Sequence, residues 1–310
     1  MSFLSASLLA FSLLAQDPAT PTPQEGTPAE LEDVVVQRQR LERTVRNFVD
    51  DVTAPSMGRG PARWDRQVCV GIANVRNPAA QYIVDRVSQV AMEIGLEPGE
   101  PGCRANVLII GASDGQALAQ GLVEATPRAF RPNWGGADRG AQALERFQQT
   151  DAAVRWWHVA LPVDSQTGAP AVRIPGEEAR MISVFAAARL RTQVQNNLEK
   201  AIVIVDFSRA EGLNIQQLAD YIAMVALAQV DPEATTGGFD TVLNMFTPGV
   251  EVAGLTDWDR SYLTALYGAE LNQARPSHQS GSVANVMVHD RRAANAVAAA
   301  ADNPEPAQGE

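Results

Sequence analysis

The sequence predicts an α+β domain in which a mixed β-sheet is packed with helices. Three observations carry that expectation. Short β-branched runs, "QVCVGIAN", "NVLIIG" and "KAIVIVDF", recur along the chain, each followed by a stretch of helical apolar spacing. Between the second and third, "AVRWWHVALPV" and "APAVRIP" flank "DSQTG" like the arms of a hairpin, so the strands are not all parallel. Apolar residues make up 45% of the 310 positions, enough for one sizeable core.

In chain order, Phe3 to Ala15 is apolar, too short to span a bilayer, and followed by polar, Pro-rich sequence. Residues 1–15 are therefore expected to be a signal peptide, although no Lys or Arg precedes Arg38. Residues 16–30 read as a disordered linker. Residues 31–66 read as a helical segment and a loop: "DVVV" suits a short strand, Leu41, Val45, Phe48 and Val49 fall at helical spacing, and "APSMGRGPAR" breaks the pattern.

The domain itself is expected over residues 67–271. Its first strand leads into a helix with Pro78 at its start, Ile83, Val87, Val90 and Ile94 on one face, and Gly95 at its end. The strand "NVLIIG" precedes a helix near Asp114 to Glu124, an irregular loop "TPRAFRPNWGGADRG", and a helix near Ala141 to Gln149. Ser183 to Leu198 reads as mostly helical, ahead of the strand "KAIVIVDF". Helices from Asn214, around Thr241 to Phe246, and from Thr256 to Tyr267 close the domain. Residues 272–310 are Ala, Asn, Ser and Glu-rich and are expected to be disordered, with a stretch of helix around Arg291 to Ala301.

Charge narrows the function. The formal net charge is −11, and an acidic chain without clustered Lys and Arg does not suit a phosphate backbone, so no nucleic-acid partner is expected. No stretch is long and apolar enough to predict an integral membrane span. The two cysteines, Cys69 and Cys103, form an even pair in a chain expected to be exported, which favours a disulfide.

Three side chains are candidates for chemistry. Ser113 lies in Gly111-Ala-Ser113-Asp-Gly115, a G-x-S-x-G between a strand and a helix, the setting of a nucleophile elbow. Asp206 and either His278 or His289 would then complete the order Ser, Asp, His. The competing reading is a tight glycine turn with Asp114 capping the next helix. His158, in "RWWHV", sits beside two tryptophans on a strand, a setting that suits a packed residue more than a ligand or base. Asp220 is a polar exception in "QQLADYIAMVALAQV", a helix apolar nearly all round and so expected to be buried. "FRPNWGG" reads equally as a binding loop or a surface loop. Thr256 and Asp259 read as a capping box.

Taken together, "RQVCVGI", "PGCRANVLII", "VDFSRAEGLNIQQLADYIAMVALAQ" and "GLTDWDRSYLTALYG" resemble a group of uncharacterised exported alphaproteobacterial proteins. Their C-terminal half is in turn similar to zincin-like families. That resemblance implies a zincin-like architecture, with Ala219-Asp220-Tyr221-Ile222-Ala223 at the place of H-E-x-x-H. Both ligand positions are alanine, so the resemblance implies a fold without that family's zinc catalysis. The sequence thus points to a non-catalytic secreted or periplasmic domain with no cofactor and no metal, whose partner is an envelope protein or a small ligand. The alternative is a hydrolase using Ser113 or Asp220.

Overall fold

The structure is a computed structural model that describes residues 28–56, 58–133, 135–172 and 189–302. The expected signal segment, residues 16–27 of the expected linker, and Trp134 of the "FRPNWGG" loop lie outside the described residues. The chain divides into two units, 1–39 and 40–310. Helix α1 (Pro28–Val52) begins in the first and ends in the second. It takes in the "DVVV" expected to be a strand, because three valines do not outweigh the strong helix formers Glu, Gln and Arg around them.

The second unit is built on a four-stranded sheet. Strands β1 (Gln67–Val68) and β3 (Glu97–Pro98) form a separate short parallel pair. In the main sheet β2 (Val70–Ala73), β4 (Val107–Ala112) and β6 (Val194–Asp206) run parallel, and β5 (Val154–Asp164) lies antiparallel at the edge beyond β6. Side chains alternate between two cores, as strand geometry requires. On β6, Ala201, Val203 and Val205 face one core, and Ile202 and Ile204 the other. On β5, Val154 and Trp156 face the first, and Trp157, Val159 and Leu161 the second.

The first face carries the C-terminal part of α1, then α2 (Ala79–Glu93), α6 (Ile215–Leu227), α7 (Asp257–Gly268) and α8 (Pro276–Asp302). The second carries α3 (Gly115–Ala125), α4 (Pro127–Phe130) and α5 (Ala141–Gln149). Cys69, between β1 and β2, is joined to Cys103 by a disulfide with Cα atoms 6.1 Å apart.

Three expectations are corrected. The helix expected over Ser183 to Leu198 is strand from Val194 onward, while residues 183–188 lie outside the described residues. Its polar "VQNN" start hides the strand, and the register shift between Val159 and Ala160 leaves Glu199 unpaired in the ladder, which breaks the alternation. Of the expected hairpin partner "APAVRIP", residues 173–175 lie outside the described residues; residues 169–172 meet β5 through a bridge between Val163 and Pro170, and the long ladder of β5 is with β6. Of the tail expected to be disordered apart from a stretch of helix around Arg291 to Ala301, residues 276–302 form α8, and residues 303–310 lie outside the described residues. Val283 and Met287, and Ala284 and Val288, recur four residues apart and are buried, an apolar stripe diluted by Ala, Asn and Ser on the other faces.

Candidate functional site

Helix α6 starts at Asn214, whose side chain accepts from the Gln217 backbone N–H, while the Gln217 side chain accepts from that of Asn214. Its body is buried all round, with Ala219 and Ala223 at 0% exposure. Asp220, 2% exposed, accepts from Arg86 Nε of α2 at 2.5 Å through Oδ1, and from the Leu255 backbone N–H at 3.0 Å through Oδ2. The neighbouring Gly254 leaves Oδ2 its room, since a Cβ there would overlap it. Burial lowers the affinity of Arg86 for its proton, but the hydrogen bond and charge of Asp220, with Glu93 adding to them, hold it above its ordinary value. Asp220 therefore staples α2, α6 and the approach to α7.

The other end of α6 explains His158. The last four carbonyls of a helix have no partner within it, and here all four are buried and satisfied. The Met224 carbonyl accepts from Ala228 N–H, that of Val225 from His158 Nε2 at 2.8 Å, that of Ala226 from Trp64 Nε1 at 2.9 Å, and that of Leu227 from the Tyr267 hydroxyl at 2.7 Å. A carbonyl only accepts, so His158 carries a proton on Nε2. Burial depresses its pKa to about 4. Beside Trp64, Arg63 Nη1 donates to the carbonyls of Leu266, Tyr267 and Ala269 and closes the end of α7 in the same way. The segment expected to be loop thus caps two helices, and the adjacent Arg63 and Trp64 just after a Pro/Gly-rich stretch were its only signal.

Ser113 is exposed in the turn from β4 to α3. Asp114 caps α3 by accepting from Ala117 N–H at 2.9 Å. Asp206, at the end of the neighbouring strand, accepts from Gly115 N–H at 2.8 Å and from the Ser208 hydroxyl at 2.6 Å. Burial raises the Asp206 pKa, but these hydrogen bonds and Arg209 bring it below the usual carboxylate value. The structure thus sets Asp206 beside the Ser113 turn, where it holds the turn's backbone, and brings no histidine there. His278 and His289 lie on α8, which packs on the first face, whereas the turn leads into α3 on the second. His158 is bound to α6, also on the first face.

The expected capping box of α7 is present. Asp259, fully buried, accepts from the Thr256 and Thr241 hydroxyls and from Val242 N–H, which ties α7 to the 3-10 helix Val242–Phe246. Burial outweighs these donors and raises its pKa. Among the described residues, no cluster of three His, Cys, Asp or Glu has the geometry to hold a metal ion.

One cavity of about 140 Å³ opens beside the edge strand β5. Phe147, Trp156 and Tyr221 wall it, with Arg155 and His158 also lining it. The Arg139–Asp231 pair, at 3.0 Å, and the Arg146–Glu233 pair, at 2.9 Å, stand around it. The Trp156 indole is satisfied by the Val230 carbonyl. Arg155, 2% exposed, packs its guanidinium beside Gly115 and Asp206 and donates from Nη2 to the Ala152 carbonyl at 3.5 Å, while its Nε and Nη1 have no hydrogen-bond partner among the described residues. Burial pushes the Tyr221 hydroxyl well above its usual pKa, so it stays protonated. Reading the sequence singled out His158 from "RWWHV" and missed Arg155 three residues earlier, because an arginine on a strand ordinarily faces solvent. No known protein family, curated protein or solved structure matches this chain.

Proposed function

We propose that the chain is a secreted or periplasmic binding domain, zincin-like in frame and catalytically silent, that takes a small ligand into the cavity beside β5. One observation carries this reading: Arg155, which lines the cavity, is a buried guanidinium with unused donors, while Asp220, His158 and Asp206 are engaged in holding the fold. Asp220 is tied to Arg86, and His158 and Asp206 each close a helix end. A buried donor without a partner costs about 1–3 kcal/mol, more when it is charged, and a ligand acceptor would recover that cost. Aromatic walls and a guanidinium suit a small planar acid. The disulfide between the chain's two cysteines supports an oxidising compartment.

Benzoate is the probe. Saturable binding seen by calorimetry, lost in Phe147→Trp, which fills the cavity, and in Arg155→Met, supports the reading. Labelling with a fluorophosphonate that is lost in Ser113→Ala would replace it with the hydrolase alternative.

A further inference from the structure

We propose that a second site, sharing no residue with the β5 cavity, binds an anionic amphiphile: a single alkyl chain ending in a carboxylate. The tail site comes from incomplete cover of the sheet. Helices α3 and α4 leave Leu108 and Ile110 of β4 only half-buried on the second face, while their neighbours Val107 and Ile109 are sealed in the first core. Together with Ile202, Leu122 and Phe130 they line a groove of about 240 Å³ whose only polar side chains among the described residues are Thr126 and Lys200.

The head site comes from charge. The groove runs into a wider cleft of about 530 Å³, and Ala105, Ala129 and Lys200 line both. Four cations, Arg66, Arg104, Arg128 and Lys200, line the cleft against two carboxylates, Asp65 and Glu199. Arg86, Arg139, Arg146, Arg191, Arg260 and Arg292 are each paired with a carboxylate. Arg104, Arg128 and Lys200 make no such pair within 4 Å among the described residues, although Arg104 and Lys200 act on Glu199 from further away. In a chain with 36 acidic and 25 basic side chains, this is a local excess of positive charge, four cations against two carboxylates.

Lys200, the sole lysine, stands at the junction. It falls beside the register shift in β6 and on the same strand face as Ile202. A cationic end continuous with an apolar groove matches one anionic head on one alkyl tail. A polyanion would need a longer basic stripe and would meet the surrounding negative charge.

Calorimetric titration of the full chain with decanoate, below its micelle concentration, tests this. One saturable site per chain is expected. Arg104→Ala with Arg128→Ala, both exposed positions, should weaken it at least tenfold, as should Lys200→Glu. Uncharged 1-decanol should bind at least tenfold more weakly, and decyltrimethylammonium not measurably. Absence of saturable decanoate binding would overturn the proposal, as would binding indifferent to both variants, or equal affinity for the cationic amphiphile. Tighter binding to phosphatidylglycerol vesicles, or displacement of decanoate by hexaglutamate, would overturn it too, in favour of a membrane or an acidic protein surface.

Discussion

His158 Nε2 donates to the Val225 carbonyl at 2.8 Å, so the one histidine on a strand of the sheet closes the end of the helix behind it. This relationship makes stability depend on pH with a definite sign. The folded pKa is about 4, below the ordinary 6.5. Between these values the unfolded chain binds a proton that the folded chain refuses, so stability rises with pH across that window. It is lost as pH falls from about 6.5 toward 4 and changes no further below that on account of this group. The loss is on the order of 3 kcal/mol. Urea unfolding at pH 7 and pH 4.5 checks it. His158→Gln, which keeps a donor but does not titrate, should show a smaller drop between the two pH values than the wild type. An equal drop would mean that other groups set the slope.

Asp220 and Arg86 form a buried pair, so removing either partner should cost more than removing both. Asp220→Ala leaves the Arg86 guanidinium, whose side chain is 13% exposed, without its carboxylate, and about 3–5 kcal/mol of stability should go. Arg86→Met combined with Asp220→Ala should recover part of that loss. A double-mutant cycle followed by thermal unfolding measures the coupling. Additive losses would show that Asp220 contributes through Leu255 alone.

The Cys69–Cys103 bond closes a loop spanning 34 residues of sequence separation. On the chain-entropy account, a loop of that size contributes about 3–4 kcal/mol by restricting the unfolded chain. Cys69→Ser with Cys103→Ser should lose that amount in denaturant unfolding, and reductant should destabilise the wild type equally. Two thiols that alkylate readily in the unreduced protein would contradict the bond.

The elements that could be read from the sequence are those whose local pattern and tertiary role agree. Helix α5 falls on Ala141–Gln149 as its spacing predicts, and the Asn214 and Thr256 caps stand where capping residues precede apolar runs. The parts that were hidden depend on partners far along the chain. "VQNN" becomes strand only because residues 161–164 of β5 lie beside it. The tail becomes helix because α7 offers its small apolar stripe a surface. At the candidate site, Asp220, Asp206 and His158 stood out as residue types, yet their roles turn on Arg86, Gly115 and Val225, which no spacing rule links to them.

The last prediction concerns the two alanines that would hold the ligand positions in the zincin-like frame we propose. Ala219 and Ala223 sit four residues apart on α6, and histidines with that spacing put two nitrogens on one helical face. The face in question is buried: both alanines are at 0% exposure inside the first core. Ala223→Leu alone should cost about 1–3 kcal/mol by overpacking. Ala219→His with Ala223→His adds more volume and buries two polar rings, each costing about 2 kcal/mol or more without a hydrogen-bond partner. The expected result is therefore loss of cooperative unfolding by circular dichroism and no zinc uptake by calorimetry, because both positions are sealed in the core and a zinc ion needs three or four ligands and a way in. A folded double variant that binds one zinc per chain would show that this face of α6 opens onto a cleft, and would restore the metal-dependent reading of the frame.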